Sequence, residues 1–184
     1  MTGPGSSGAR LDALISADAI AARVARLGDQ IGVDYQGCDL VVVGVLTGAV
    51  VFLADLVRRI PLPMEIDFVA TSSYGAATAA TGEVRLLKDL SHPIDGKHVL
   101  LVEDIVDTGL TLRYLVGLLR SRGPASVRTC ALLDKPARRR VDQHADYVGF
   151  AIEDRFVVGY GLDLAGLYRN LPYIGVLKPD GPAA

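Results

Sequence analysis

The chain has 184 residues, half of them hydrophobic, with 19 Lys and Arg against 21 Asp and Glu for a formal net charge of −2. That length and apolar content fit one domain with a sizeable core. The balanced charge excludes broad electrostatic attraction to nucleic acid, so any phosphate recognition must be local and small phosphorylated ligands are favoured over polymers.

Ser16 is a reasonable N-cap for a first helix, in which Ile20, Val24, Leu27 and Ile31 form an apolar face. The continuous hydrophobic run over residues 40–46 predicts a buried strand, and residues 50–60 a helix stopped by Pro61. A strand is predicted over residues 64–71, followed by a small-residue connection, SSYGAATAATG at 72–82, whose length and lack of periodicity suggest a lid or binding loop. After a short strand at 84–87, residues 99–102 read as a buried strand. Leu112, Leu115, Val116, Leu118 and Leu119 then mark a helix running to about Arg122, where Gly123-Pro124 ends it, and residues 127–133 return as a strand. This alternation predicts an α/β fold with a mostly parallel central sheet and helices on both faces. In such sheets ligands bind beyond the carboxyl ends of the strands, which brings Leu46-Thr47-Gly48, Ser72-Ser73-Tyr74, residues 103–111 and Asp134-Lys135-Pro136 to one edge.

Cys38 and Cys130 are the only cysteines and match no CxxC spacing, which argues for two buried thiols rather than a disulfide framework. Residues 1–10, MTGPGSSGAR, lack the apolar core of a secretory signal, and no run is apolar for long enough to span a bilayer. The expectation is a cytoplasmic protein without a membrane or nucleic-acid partner. Residues 1–10 and 179–184 read as flexible tails around a single domain at 11–178.

The run VLLVEDIVDTGLTL at 99–112 is the most informative stretch. Unpaired backbone N–H groups at a helix start suit an anion, and the hydroxyls of Thr108 and Thr111 add donors beside Gly109. Glu103, Asp104 and Asp107 would repel that anion. The conflict disappears if the ligand carries a phosphate, sugar hydroxyls that carboxylates can accept from, and Mg²⁺ on a second anionic group. Simple helix capping by Asp107 or Thr108 is the plainer alternative, but it leaves Glu103 and Asp104 unexplained. A phosphatase with a strand-end aspartate is a further alternative, although its two acidic groups are expected two residues apart.

This run closely resembles the 5-phosphoribosyl-1-pyrophosphate (PRPP) motif of the type I phosphoribosyltransferases. With the matches outside it, the chain is most similar to the bacterial hypoxanthine-guanine phosphoribosyltransferases from about residue 41 to 176. The resemblance implies a type I phosphoribosyltransferase fold with a small hood contributed mainly by about residues 136–178. Glu103 and Asp104 would hold the ribose hydroxyls, directly or through Mg²⁺, and Asp107, Thr108, Gly109, Leu110 and Thr111 would cradle the 5′-phosphate. Asp107 would be the catalytic group at purine N7. Leu46, Thr47, Gly48, Ser73, Tyr74 and Arg169 would grip pyrophosphate, with a cis peptide between Leu46 and Thr47. Lys135 would read O6 of a 6-oxopurine, since it donates hydrogen bonds but cannot accept them. Phe156 would stack on the base, Val157 would meet its edge through the backbone, and Asp163, completing that side of the site, would hold a second Mg²⁺ on pyrophosphate. Otherwise the arginines after Lys135 read as an ordinary solvated basic cluster.

The implied reaction converts PRPP and hypoxanthine or guanine to IMP or GMP and pyrophosphate, in a homodimer or homotetramer. Thr47 departs from the family pattern, standing where many relatives carry Lys, and Glu153 stands where proline is common. A xanthine- or modified-purine transferase is the nearest alternative activity. A non-catalytic PRPP-sensing regulator is the alternative from another class, disfavoured by the acidic balance.

Overall fold

A computed structural model describes residues 11–73 and 84–177. Positions 1–10 and 179–184, Tyr74 and the rest of the 74–83 connection lie outside the described residues. The first helix, α1 (Ala17–Asp34), begins where Ser16 Oγ accepts from Ala19 N at 3.2 Å, and it buries Ile20, Val24, Leu27 and Ile31. Before it runs β1 (Leu11–Ile15).

A six-stranded sheet follows in the order β4-β3-β2-β5-β6-β7. Its members are β2 (Leu40–Leu46), β3 (Glu65–Ser73), β4 (Val84–Lys88), β5 (His98–Val106), β6 (Ser126–Asp134) and β7 (Tyr147–Ala151). All neighbours are parallel except the edge pair of β3 with β4. The other two helices are α2 (Val50–Val57) and α3 (Leu110–Arg120). Because side chains alternate along a strand, each central strand feeds two cores. Val42, Leu100 and Leu132 pack with Phe52, Leu56 and the α1 stripe. Val41, Val43 and Leu101 pack with Leu112, Leu115 and Leu119 of α3. A second sheet, ordered β1-β9-β8, consists of β1, β8 (Val157–Val158) and β9 (Ile174–Leu177). It draws β8 and β9 from the 136–178 stretch and β1 from the start of the chain, while β7, in the same stretch, joins the large sheet.

Several boundaries differ from the sequence expectation. The helix expected to reach residue 60 ends at Val57, because a proline ring at 61 clashes with a helical carbonyl four residues back and disfavours helix at the residue before it. β5 runs four residues past Val102, since Glu103, Ile105 and Val106 stay in register with Ala131, Leu133 and Asp134 of β6 despite the charge. At α3 the N-cap is Gly109, with φ of 83° and no side chain to cap with, so neither Asp107 nor Thr108 fills the capping role. The edge strand β7 was not anticipated at all. Its carbonyls at Val148 and Gly149 are taken by Arg23 of α1 at 2.6 and 2.9 Å.

Candidate active site

Four strand ends build the site. At the end of β2 the Leu46–Thr47 peptide is cis, as the resemblance implied. Gly48 follows, and a Cβ built there would lie 1.8 Å from Asp104 Oδ2, so only glycine lets that carboxylate reach the loop backbone. From the other side Gly161, at φ of 102°, is so close that its own Cβ would fall 2.0 Å from the Gly48 carbonyl oxygen.

The end of β5 carries two adjacent carboxyls, Glu103 buried and Asp104 half-buried. Glu103 is 6% exposed and its carboxyl makes no hydrogen bond with a described residue. Burial, reinforced by the charge of Asp104, pushes Glu103 well above the usual carboxylate range. Burial also raises Asp104, to about 6, against the pull of its hydrogen bond from Ile105 N at 2.9 Å and of Arg169, with Asp163 adding to the rise. Beyond them the chain leaves the sheet at Asp107, Thr108 and Gly109. Of this turn's N–H groups, those of Thr108 and Gly109 make no hydrogen bond with a described residue, and Leu110 N reaches Thr108 Oγ1 only at 3.4 Å.

Asp107 meets a side chain that sequence reasoning left on the surface. Arg138 Nε lies 2.8 Å from Asp107 Oδ1, and its Nη1 is 3.3 Å from Asp154. The contact to Asp107 is an ion pair without hydrogen-bond alignment, which leaves Oδ1 buried and short of a donor. Arg139 is more deeply placed still, donating to the Asp107 carbonyl at 2.7 Å and to the Asp134 carboxylate. The basic run is therefore not simply a solvated face. The only sequence signal for this was Asp134, a carboxylate at a buried strand end with no partner in reach until Arg139.

The fourth contributor is the segment between β8 and β9. Arg169 pairs with Asp163 at 2.6 Å and donates to the Gly161 carbonyl at 2.5 Å, while Asp163 accepts from Gly166 N at 2.7 Å. The ends of β2 and β5, Thr71 of β3 and the β8–β9 segment line a cavity of about 300 Å³. Of the expected site residues it is lined by Leu46, Gly48, Glu103, Asp104, Asp107, Thr108, Gly109, Thr111, Asp163 and Arg169. Thr47, Leu110, Lys135, Phe156 and Val157 are not part of that lining, and the Ser73 side chain lies outside what is described. Lys135 is 6% exposed, and its ammonium makes no hydrogen bond or ion pair with a described residue. Val157 is buried beside it in sequence to an outward Phe156, 56% exposed.

Among the described residues no group of three or more His, Cys, Asp or Glu could hold a metal unaided. Mg²⁺ binds through one or two carboxylates and otherwise keeps waters and substrate oxygens. The buried Glu103 and half-buried Asp104, mutually repelling and raised in pKa, are a donor set that a divalent cation would relieve.

Fold and cavity define an α/β protein with a polar cavity at the carboxyl ends of a parallel sheet, the place where such sheets bind ligands. Residues 11–164 match the family model for the phosphoribosyl transferase domain, and the chain belongs to the phosphoribosyltransferase family. It is 51% identical over 166 residues to the hypoxanthine-guanine phosphoribosyltransferase of Bacillus subtilis (strain 168), covering 90% of this chain and 92% of that protein. It is 50% identical over 167 residues to the bifunctional protein TilS/HprT of Listeria monocytogenes serotype 4b (strain F2365), where 91% of this chain spans only 26% of the relative. A crystal structure of a hypoxanthine phosphoribosyltransferase from Staphylococcus aureus superposes with a TM-score of 0.88 at 48% identity, covering 94% of each chain.

Proposed function

We propose that this chain transfers 5-phosphoribose from PRPP to N9 of hypoxanthine or guanine, giving IMP or GMP and pyrophosphate, as a purine-salvage enzyme. The observation that carries the reading is the pairing, in one cavity, of the buried Glu103 and half-buried Asp104 carboxyls with N–H groups at 108–109 that no described residue engages and the Arg169 guanidinium. Carboxyls that accept from ribose hydroxyls, N–H groups that take a phosphate, and a cation for the leaving group are the three needs of PRPP.

On this reading Glu103, Asp104 and Asp163 hold Mg²⁺, which supplies charge neutralisation on pyrophosphate as it leaves. Arg169 and the Thr47-Gly48 backbone stabilise the same charge, an interaction that strengthens as the C1′–oxygen bond breaks. Lys135 donates to purine O6, for which its buried ammonium has no competing partner among the described residues. The exposed ring of Phe156 offers a face for stacking, a contact of about 1 kcal/mol beyond area burial. Asp107 takes a hydrogen bond or proton from N7, which raises the electron density at N9. Its placement against N7 is what the turn after β5 supplies.

A spectrophotometric assay of hypoxanthine, guanine, xanthine and adenine, each with PRPP and Mg²⁺, tests the proposal. Turnover of hypoxanthine or guanine is expected. Turnover of xanthine alone would move the assignment to its neighbour, turnover of adenine alone would overturn the role of Lys135, and no turnover would point to a PRPP-binding regulator. The protein is expected to act in the cytoplasm as a homodimer or homotetramer.

A further inference from the structure

The connection between β6 and β7 approaches the phosphate turn from behind. Arg139, whose side chain is only 10% exposed, donates through Nη1 to the Asp107 carbonyl at 2.7 Å and through Nη2 to Asp134 Oδ1. One residue on, Arg140 N donates to the Thr108 carbonyl at 3.0 Å. Two successive peptide groups, 107–108 and 108–109, are thus bound through their oxygens on the side away from the cavity. Both are trans, and in a planar trans peptide the N–H points opposite to the C=O. Fixing the two oxygens outward therefore turns the N–H groups of Thr108 and Gly109 toward the cavity they line. The same arginine closes on Gly109, since a Cβ there would lie 3.0 Å from Arg139 Cδ. Arg139 is not in the cavity wall, and two of its nitrogens are engaged elsewhere, so it has no direct route to a ligand.

We propose that Arg139, anchored by Asp134, is a positioning residue that presets the 107–109 backbone for phosphate. Donors held in place before the ligand arrives lose less freedom on binding, and the gain appears as affinity for the phosphate-bearing substrate alone. The inference rests on the PRPP reading above.

The test compares wild type with Arg139→Ala and Arg139→Lys in steady-state assays varying PRPP and hypoxanthine separately. Loss of a charge-assisted hydrogen bond that organises the cradle should raise KM for PRPP by about tenfold or more in Arg139→Ala. KM for hypoxanthine should stay within about twofold, a split that general loosening of the fold would not produce. Lysine can reach the Asp107 carbonyl or Asp134 but cannot fork between them, so Arg139→Lys should fall between the two, and it carries the comparison if the alanine variant does not fold. Added methylguanidine should restore PRPP affinity to Arg139→Ala. Unchanged KM for PRPP, or equal rises in both KM values, overturns the proposal. If wild type does not turn over PRPP, it is the functional reading that fails, and the cradle is then judged by ribose 5-phosphate affinity in the same three proteins, where equal affinities overturn it.

Discussion

Replacing Gly48 with alanine tests the tightest approach in the site. The added Cβ would lie 1.8 Å from Asp104 Oδ2 and 2.6 Å from its Cγ, which for the oxygen is about 1.5 Å inside normal contact. Asp104 is poorly placed to yield, because its Oδ1 is held by Ile105 N at 2.9 Å. The loop cannot retreat either, since Gly161 presses on the Gly48 carbonyl from the opposite side. Overpacking of this kind costs about 1 to 3 kcal/mol. If the cost falls on the site, with Asp104 displaced from the ribose, kcat/KM for PRPP should drop roughly 5- to 150-fold. If it falls on the fold, the melting temperature should drop by roughly 2 to 12 °C for a chain of this size. Steady-state kinetics and a thermal melt on the same preparation read both. A variant with kcat/KM within about twofold of wild type and an unchanged melt would refute the close approach of Gly48 to Asp104.

Asp107→Asn should lower kcat about 100-fold while changing PRPP affinity little, and an unchanged kcat would remove Asp107 from the chemistry. Lys135→Ala should weaken hypoxanthine and guanine use by about tenfold or more and leave PRPP binding to the free enzyme intact; loss of PRPP binding instead would place Lys135 in the other pocket. A pH effect follows from the buried pair. Asp104 rises from 3.8 to about 6 on folding, so between those values the folded form holds more protons than the unfolded one. Its stability contribution is therefore greatest below that window and is lost as pH rises through it. Relative to Asp104→Asn, the ligand-free wild type should lose melting temperature from about pH 4 to about pH 7, and a constant offset between the two would contradict the burial argument. Chelating Mg²⁺ should abolish turnover, with activity returning on adding the ion back.

The parts of the fold that were legible in the sequence are those where local signal and tertiary role agree. Ser16 caps α1 because its side chain alone suffices, and β2 reads plainly because it is buried on both faces. β5 was cut short at Glu103 because a carboxylate normally ends a buried run, whereas here it continues the ladder and is kept for the cavity. β7 and β9 are short, and each contains a glycine, Gly149 and Gly175, so neither shows a period long enough to read. In the site, residues that follow one another along a single strand end do come together at the cavity, as their order in the chain implies. Arg138 and Arg139 were not legible, because an arginine among three in a row reveals its partner only when the chain has turned back on itself.

The small sheet also fixes where the described chain can be joined to anything else. β1 and β9 are antiparallel, and Leu11 pairs with Leu177, so the first and last described residues are next-door neighbours. A short linker between them would close the chain into a ring, and new ends could then be opened at an exposed turn of the large sheet. Since β9 pairs on its other side with Val157 of β8, a load attached at either original end is transmitted first to the hood and not to the phosphate turn.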